Sequence, residues 1–212
     1  MRNVLFFGDS NTYGFDPESR AAGTGERFAA DVRWCGVAAR ELASSWHVIE
    51  EGLNGRTTVH EDPYRLTTYL SGGMLLPTLL KSHLPLDAVV IMLGTNDVKE
   101  RFGANAACIA AGMERLILKA KSVDCWGTKQ PNILVVAPPP IGAGFHDAVM
   151  GDGCVEKSAG VAEQLRIICE RQGVHFLDAK DCEFNQVDFM HLTRKGHAQL
   201  AELLAKEVPG LI

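Results

Sequence analysis

The sequence lacks the features that mark membrane, secreted and nucleic-acid-binding proteins. No apolar run approaches the ~20 residues of a membrane-spanning helix, and the short N-terminal run in MRNVLFFGDS precedes no small-residue cleavage site. Basic blocks are missing too: 21 lysines and arginines are outnumbered by 26 aspartates and glutamates, for a net charge of −5. Such a chain has no electrostatic reason to bind nucleic acid or an anionic membrane. We therefore expect a cytoplasmic protein with no nucleic-acid or membrane partner.

Paired cysteine motifs are also lacking. The six cysteines include no C-x-x-C pair, and most stand in apolar or helical stretches. An even count is compatible with three disulfides, but a domain of 212 residues has a core large enough to fold without them. Free thiols within a single domain, residues 1–212, are the favoured interpretation.

The sequence does contain a regular alternation of strand-like and helix-like segments. Apolar, β-rich runs occupy residues 4–7, 48–51, 88–93, 133–137 and 175–178. Helical periodicity occupies residues 31–44, 104–121, 155–172 and 193–208, the last with Thr193 as its N-cap. The central runs are apolar on both faces, as in a parallel sheet covered by helices on both sides. The alternation predicts an α/β fold, a three-layer α/β/α sandwich around a five-stranded parallel sheet.

Two loops rich in glycine and proline follow predicted strand ends. They span residues 15–33 and residues 138–153. In open α/β sheets the ligand crevice lies outside the carboxyl ends of the strands. We therefore expect both loops to line the pocket.

Four polar segments stand where predicted strands end, or shortly after the last strand. They read GDS at 8–10, GLNGRTT at 52–58, GTND at 94–97 and DFMH at 188–191. Because parallel strands end at one edge of the sheet, these segments are expected to converge. Together they supply a hydroxyl, an imidazole, carboxylates, a carboxamide and glycine N–H groups. This set suits acyl transfer through a covalent intermediate.

Ser10, Asp188 and His191 form the candidate catalytic triad. A serine hydroxyl is a weak nucleophile until a neighbouring base takes its proton, and His191 is the candidate base. Asp188, three residues earlier, is placed to orient the imidazole and fix its tautomer. The candidate oxyanion donors are the backbone N–H groups of Ser10 and Gly55 and the side-chain amide of Asn96.

Each segment alone also has an ordinary structural explanation. Gly-Asp-Ser and Gly-Thr-Asn-Asp are common turns; only their combination favours an enzyme over a module that binds a glycan or a partner. A metal-dependent phosphoesterase would use Asp9, Asn96, Asp188 and His191, but further strand-end histidines are lacking. Gly142-Ala143-Gly144 lacks the third glycine of a dinucleotide motif. No metal or other cofactor is therefore expected.

Several other polar residues have structural explanations that outweigh functional ones. His197 is expected to be a surface or packing residue, while His60 and His146 are loop candidates for the pocket. Asp97 is expected to anchor its loop, and Arg56 to form a structural pair rather than contact substrate.

Four sequence blocks resemble the SGNH (GDSL-type) hydrolase family: FFGDSNTYG, EEGLNGRTT, IMLGTNDVK and DFMHLT. They span residues 6–193, and VRWCGVAARELA, HLPLDAVVIMLGTNDVK and ILVVAPPP are similar to the bacterial arylesterase/acyltransferase branch. The resemblance implies a flavodoxin-like fold and matches Ser10 to the nucleophile, Asp188 and His191 to the rest of the triad, and Gly55 and Asn96 to the oxyanion donors. It also implies a homo-oligomer that hydrolyses small esters and transfers acyl groups to alcohols.

The chain departs from this branch in places that bear on the substrate. Asn11 replaces the leucine of GDSL, Tyr13 and Phe15 stand where tryptophan is common, and Gly55 stands where alanine is common. The substrate pocket is expected to comprise Asp9, Asn11, Phe15, Trp34 and Met190. Short acyl esters are the expected substrates, because the bulky members of this set would cap a shallow pocket. An O-acetylated carbohydrate is the rival substrate.

Overall fold

One parallel sheet organises the computed structural model, which describes residues 1–66, 68–127 and 130–212. Its strands are β1 (Arg2–Gly8), β2 (Trp46–Gly52), β3 (Ala88–Met92), β4 (Ile133–Ala137) and β5 (His175–Asp178). The spatial order is β2-β1-β3-β4-β5, and every neighbouring pair is parallel. The predicted five-stranded parallel sheet is confirmed.

Helices follow or connect the strands, and each of the four stretches with helical periodicity contains one. Within the described residues they are α1 (Ser10–Tyr13), α2 (Pro17–Ala21), α3 (Trp34–Leu42), α4 (Gly72–Ser82), α5 (Ala106–Ser122), α6 (Cys154–Ala159), α7 (Val161–Gln172) and α8 (Arg194–Glu207). The single helix predicted over 155–172 is interrupted at Gly160, a weak helix former. Thr193 caps α8, because its side chain accepts a hydrogen bond of 3.0 Å from Gly196 N.

The helix α4 contains a proline and is not among the helices expected from the sequence. Pro77 lies inside the helix and cannot donate to the carbonyl of Gly73, four residues earlier. The ammonium group of Lys119, on α5, donates to that carbonyl instead. The side chain from a neighbouring helix thus satisfies the acceptor that proline leaves free, and α4 continues past it.

The two faces of the sheet are buried under different helices. Along β1, Leu5 and Phe7 point to a core shared with α4, α5 and α7, whereas Val4 and Phe6 point to a core shared with α3 and α8. This burial of alternate residues on opposite faces gives the predicted three layers. All six cysteines are free thiols, and five of them are buried.

The strand order has one reversal, between β1 and β3. From β1 the chain first adds β2 on one side and then β3 on the other, which opens a crevice beyond the carboxyl ends of these two strands. The segments around Ser10 and Asn96 leave the sheet at this point. Over the described parts of the chain, every helix is too short or too polar to cross a bilayer.

Candidate active site

Ser10 begins the short helix α1, directly after β1. Asp9 caps this helix, and its side chain accepts a hydrogen bond of 3.0 Å from Asn11 N. The turn packs closely on the end of β2: a Cβ built on Gly52 would lie 2.2 Å from Tyr13 N. Glycine at this position therefore allows α1 to lie across the sheet edge, which fixes where Ser10 sits.

A hydrogen-bonded relay joins the three candidate triad residues. His191 Nε2 lies 2.8 Å from Ser10 Oγ, and His191 Nδ1 lies 2.7 Å from Asp188 Oδ2. Burial tends to raise the pKa of Asp188, but hydrogen bonding and the charge of His191 outweigh burial and lower that pKa to about 2. Asp188 is thus an anion at neutral pH and can hold the imidazole with Nε2 facing the serine.

The loop carrying Asp188 and His191 is built around Asn185, a residue not expected at the site from the sequence. The buried Asn185 amide donates to Asp188 Oδ1 at 2.9 Å and to His191 O at 2.7 Å. Its oxygen accepts from the backbone N–H groups of Val187 and Asp188. An Asn bonding to the backbone two residues ahead is a turn signal that could have indicated this role.

Phe189, between the two triad members, adopts a left-handed backbone conformation with φ of 56°, which is strained for a bulky residue. Its carbonyl accepts from Gly142 N at 2.8 Å, and its ring lies against Gly144, where an added Cβ would approach Phe189 Cζ to 2.4 Å. The Gly142-Ala143-Gly144 segment therefore serves close packing against the triad loop.

Asn11 links the turn that carries Ser10 to the same loop. Its side-chain nitrogen donates to Met190 O at 3.3 Å, and its side-chain oxygen accepts from Leu192 N at 2.9 Å. These two backbone groups flank His191 on either side. The residue that departs from the family motif thus holds the histidine loop against the serine turn.

We expect replacement of Asn11 by leucine to lower kcat by about 10- to 100-fold while KM changes little. Leucine cannot form hydrogen bonds with Met190 O or Leu192 N, so the His191 ring would shift relative to Ser10. Displacements of about 1 Å cost up to about 100-fold in rate. The measurement is steady-state kinetics on 4-nitrophenyl acetate, together with the NMR signal of the His191 ring protons.

Asn105→Ala is the matched control for that variant. Asn105 caps α5 by accepting a hydrogen bond of 2.9 Å from Cys108 N, so its removal destabilises the fold by about 0.5–2 kcal/mol without touching the triad. A loss of kcat in Asn105→Ala as large as that in Asn11→Leu would assign the effect to general stability.

Gly55 and Asn96, the other candidate oxyanion donors, line the same cleft as Ser10. Gly55 has φ of +86°, a conformation that glycine adopts without strain, and among the described residues its N–H donates no hydrogen bond. Asn96 Nδ2 donates to Arg56 O at 3.2 Å, which orients the amide and leaves its second N–H available. Ser10 N–H opens α1 and has no partner within the helix.

Asp97 holds these two loops together. Its buried carboxylate accepts from Thr58 N, with both oxygens at 3.0 Å, and from the Thr58 hydroxyl. Burial raises the pKa of Asp97, while the bonds from Thr58 oppose that rise. Thr58 lies three residues after Gly55, and Asp97 lies directly after Asn96. The contact between Thr58 and Asp97 therefore sets the distance between the two candidate oxyanion donors.

A cleft of about 970 Å³ opens above Ser10. Ser10, Gly55, Asn96, Asp188 and His191 all contribute to its lining, as do Phe15 and Met190. The ring of Phe15 also packs on that of His191, with centroids 4.6 Å apart. Both predicted loops line the cleft, 15–33 through Phe15, Arg20 and Glu26 and 138–153 through residues that include His146.

Three residues expected in the pocket lie behind it instead. Asp9, Asn11 and Trp34 are each about 1% exposed and are not part of the cleft lining. Trp34 Nε1 donates to Asn11 O at 2.9 Å, and the ring packs on Phe6. Burial raises the pKa of Asp9 to about 6, against the lowering effect of the Asn11 N–H. Tight packing at the sheet edge turns these three side chains toward the protein interior. They therefore support the turn that carries Ser10 instead of contacting the cleft.

The remaining candidates from the sequence are mostly structural. His197 is fully buried and accepts from Trp34 N at 3.2 Å, and burial lowers its pKa to about 3. His60 stacks on Phe102 away from the cleft. Buried Arg56 donates to Gly8 O at 2.8 Å and to Glu51 O, and burial lowers its pKa to about 10.

A charged part of the cleft wall was not expected from the sequence. Asp62, Arg65, Lys99 and Arg101 line it on the side of Gly55 and Asn96. Lys99 ends the matched block IMLGTNDVK, but nothing in its spacing indicated that the side chain faces the cleft. No cluster of three His, Cys, Asp or Glu side chains that could hold a metal ion occurs in residues 1–66, 68–127 and 130–212.

The chain is similar to known proteins along nearly its whole length. Residues 6–199 match the model of the GDSL-like lipase/acylhydrolase family. The native aryl esterase of M. smegmatis is 37% identical with a TM-score of 0.90, and a carbohydrate acetylesterase of Sinorhizobium meliloti is 38% identical with a TM-score of 0.89. Each match covers 100% of both chains. No curated protein sequence matches the chain.

Proposed function

The chain belongs to the GDSL-like lipase/acylhydrolase family, and we propose that it is a serine esterase acting on small, short-chain acyl esters through an acyl-enzyme. The observation that carries this proposal is the relay from Ser10 Oγ through His191 to Asp188, with distances of 2.8 and 2.7 Å, at the floor of an open cleft. A nucleophile, a base and an orienting acid within hydrogen-bonding distance suit nucleophilic catalysis.

In the proposed reaction His191 Nε2 takes the proton of Ser10 as Oγ attacks the ester carbonyl carbon. The anionic Asp188 stabilises the resulting imidazolium and does not itself take the proton. Collapse of the tetrahedral intermediate breaks the bond to the alcohol oxygen, which receives the proton from His191. A water molecule, deprotonated by His191, then attacks the acyl-enzyme, and the proton returns to Ser10 as the acid leaves.

The oxyanion in this proposal is stabilised by the N–H groups of Ser10 and Gly55 and by Asn96 Nδ2. The free N–H of Gly55 and the pinned amide of Asn96 support this assignment, since preorganised donors need not rearrange as charge develops. Removing one such donor typically costs about 100- to 1000-fold in kcat.

We expect kcat/KM for 4-nitrophenyl esters to fall as the acyl chain lengthens from acetate to dodecanoate. Phe15 packs on the His191 ring and Met190 also lines the cleft, so bulky side chains stand beside the reacting groups, where a long acyl chain would have to lie. The measurement is initial-rate kinetics over the acyl series, with the acyl-enzyme identified on Ser10 by mass spectrometry after rapid quenching. Rates that rise with chain length would contradict the short-acyl proposal, and an adduct on another residue would contradict the mechanism.

A carbohydrate O-acetylesterase is the second candidate, and the volume of the cleft favours it. About 970 Å³ far exceeds the needs of an acetyl group, so most of the space is available to the alcohol part of the substrate. The similar Sinorhizobium meliloti protein is described as a carbohydrate acetylesterase. Faster acetate release from acetylated xylo-oligosaccharides than from phenyl acetate would select this candidate.

We also propose that the acyl-enzyme can transfer its acyl group to an alcohol. An acyl-enzyme in an open cleft is exposed to any alcohol that binds there, and alcohol and water would compete for the same acyl carbon. The ratio of methyl acetate to acetate formed in the presence of methanol measures this partition. Acetate as the sole product would restrict the activity to hydrolysis.

A further inference from the structure

The cleft wall beside Gly55 and Asn96 carries more positive than negative charge. Arg65, Lys99 and Arg101 line this wall, with Asp62 as the carboxylate among them. The other cleft carboxylates are engaged elsewhere: Glu26 with Arg20 at 2.6 Å, Asp147 with backbone N–H groups, and Asp188 with His191. None of these three carboxylates forms an ion pair with Arg65, Lys99 or Arg101 in the described parts of the chain, so the surplus of two positive charges is local to this wall.

Asp62 is shared between two of these cations, and neither contact is close. Its side chain is 3% exposed and lies 3.4 Å from Lys99 Nζ and 3.4 Å from Arg101 Nη1. Arg101 has a further bond of 3.0 Å to Val149 O and lies over the Tyr64 ring, so it is held in place. Asp62 thus neutralises about one charge and fixes the positions of Lys99 and Arg101.

Lys99 and Arg65 retain unused hydrogen-bonding capacity. The Lys99 side chain is 8% exposed, and among the described residues its ammonium has no acceptor besides Asp62. Burial lowers the pKa of Lys99, Asp62 opposes this, and the charges of Arg101 and Arg65 lower it further. The Arg65 guanidinium forms no ion pair or hydrogen bond within the part of the chain that the structure describes.

Burying or crowding like charges is costly unless an anion compensates them. Here Lys99 is buried in the cleft wall, and Arg65, which is also exposed to solvent, lines the same cleft, where its Nη2 lies 3.9 Å from the position of a Cβ built on Gly55. The unmatched guanidinium therefore stands directly beside a proposed oxyanion donor, within reach of a bound ester.

We propose that Lys99 and Arg65 form a subsite for a carboxylate on the alcohol or phenol part of the ester. This rests on the proposed function: a short acyl group has no room for a carboxylate, so the carboxylate of the substrate must be on the leaving group. An ammonium and a guanidinium with free N–H groups suit a carboxylate, since charge-assisted hydrogen bonds are about twice as strong as neutral ones. The substrate class is thus an acyl ester of a carboxylate-bearing alcohol or phenol.

The test compares 4-acetoxybenzoate with its neutral methyl ester, which differ in charge but not in acyl group. We expect the wild-type kcat/KM, divided by each ester's rate with hydroxide, to favour the carboxylate by about tenfold or more. Arg65→Gln should reduce kcat/KM for the carboxylate by about tenfold and leave the methyl ester within about twofold. Raising the salt concentration should weaken the wild-type preference.

Arg40→Gln is the matched control, because Arg40 is exposed on α3, on the opposite face of the sheet from α4 and α5. It removes the same charge at a distance and should leave both rates unchanged. The proposal would be overturned if the ratio of corrected kcat/KM values for the two esters were the same in wild type and Arg65→Gln. A wild-type ratio near one would overturn it as well. If the wild type hydrolyses neither ester, the proposed function itself fails.

Discussion

Ser10→Ala is expected to lower kcat for 4-nitrophenyl acetate by about a million-fold, to a rate near that of the oxyanion donors and binding alone. The reason is that Ser10 Oγ is the atom that would form the bond to the acyl carbon. This oxygen lies 2.8 Å from His191 Nε2, the nitrogen that would take its proton. Without Oγ neither the covalent intermediate nor the first proton transfer can form. The measurement is kcat/KM with protein prepared free of wild-type carry-over.

The fold should survive this change, so that the loss is chemical. Ser10 is small, and the N-cap that holds its turn comes from Asp9 rather than from its own side chain. Ser44→Ala, an exposed serine whose hydroxyl lies 3.5 Å from that of Ser45, is the matched control and should retain full activity. Equal activity in Ser10→Ala and wild type would refute the proposed nucleophile.

Asp188→Asn is expected to lower kcat by about ten-thousand-fold, the second largest effect. The amide can keep accepting from Met190 N and His191 N, as Asp188 Oδ1 does at 3.2 and 3.1 Å, so the loop should keep its shape. What is lost is the anion facing His191 Nδ1, because an amide N–H at that position favours the wrong imidazole tautomer. The measurement is the kcat ratio, with the His191 tautomer read from nitrogen chemical shifts.

The chain offers a second Asp–His pair as control. Asp152 Oδ1 lies 2.9 Å from His146 Nδ1, and both side chains are largely exposed. An exposed pair contributes little, so Asp152→Asn should leave kcat within about twofold. A loss in Asp188→Asn no larger than in Asp152→Asn would mean that Asp188 does not orient the base.

The strands and the four polar segments were predictable because each leaves a local signal. Apolar runs of the right length mark β4 and β5 to the residue, and polar residues at strand ends converge by the geometry of a parallel sheet. The helix α4 was not predictable on local grounds, since Pro77 argues against it. Its continuation depends on Lys119, which is 46 residues away from Gly73 along the chain.

The residues that support the candidate triad were harder to assign than its three members. Asn11 follows Ser10 in sequence, and Trp34 lies in a block that resembles the arylesterase branch, so both were expected in the pocket. In the structure both are buried and neither lines the cleft. Whether a side chain near Ser10 faces the cleft or the core depends on tertiary packing, and a pattern of residue types does not encode it. Lys99 and Arg65 were missed for the same reason.

The 181 positions that separate Ser10 from His191 also have a consequence for how activity is acquired during folding. No fragment that ends before His191 contains both partners, and the loop of His191 reaches Ser10 only when these two distant parts of the chain have met. Closing so large a loop is among the slower entropic steps of folding. Return of esterase activity on refolding should therefore trail the return of helical signal, which makes the reaction itself a reporter of the last long-range contact.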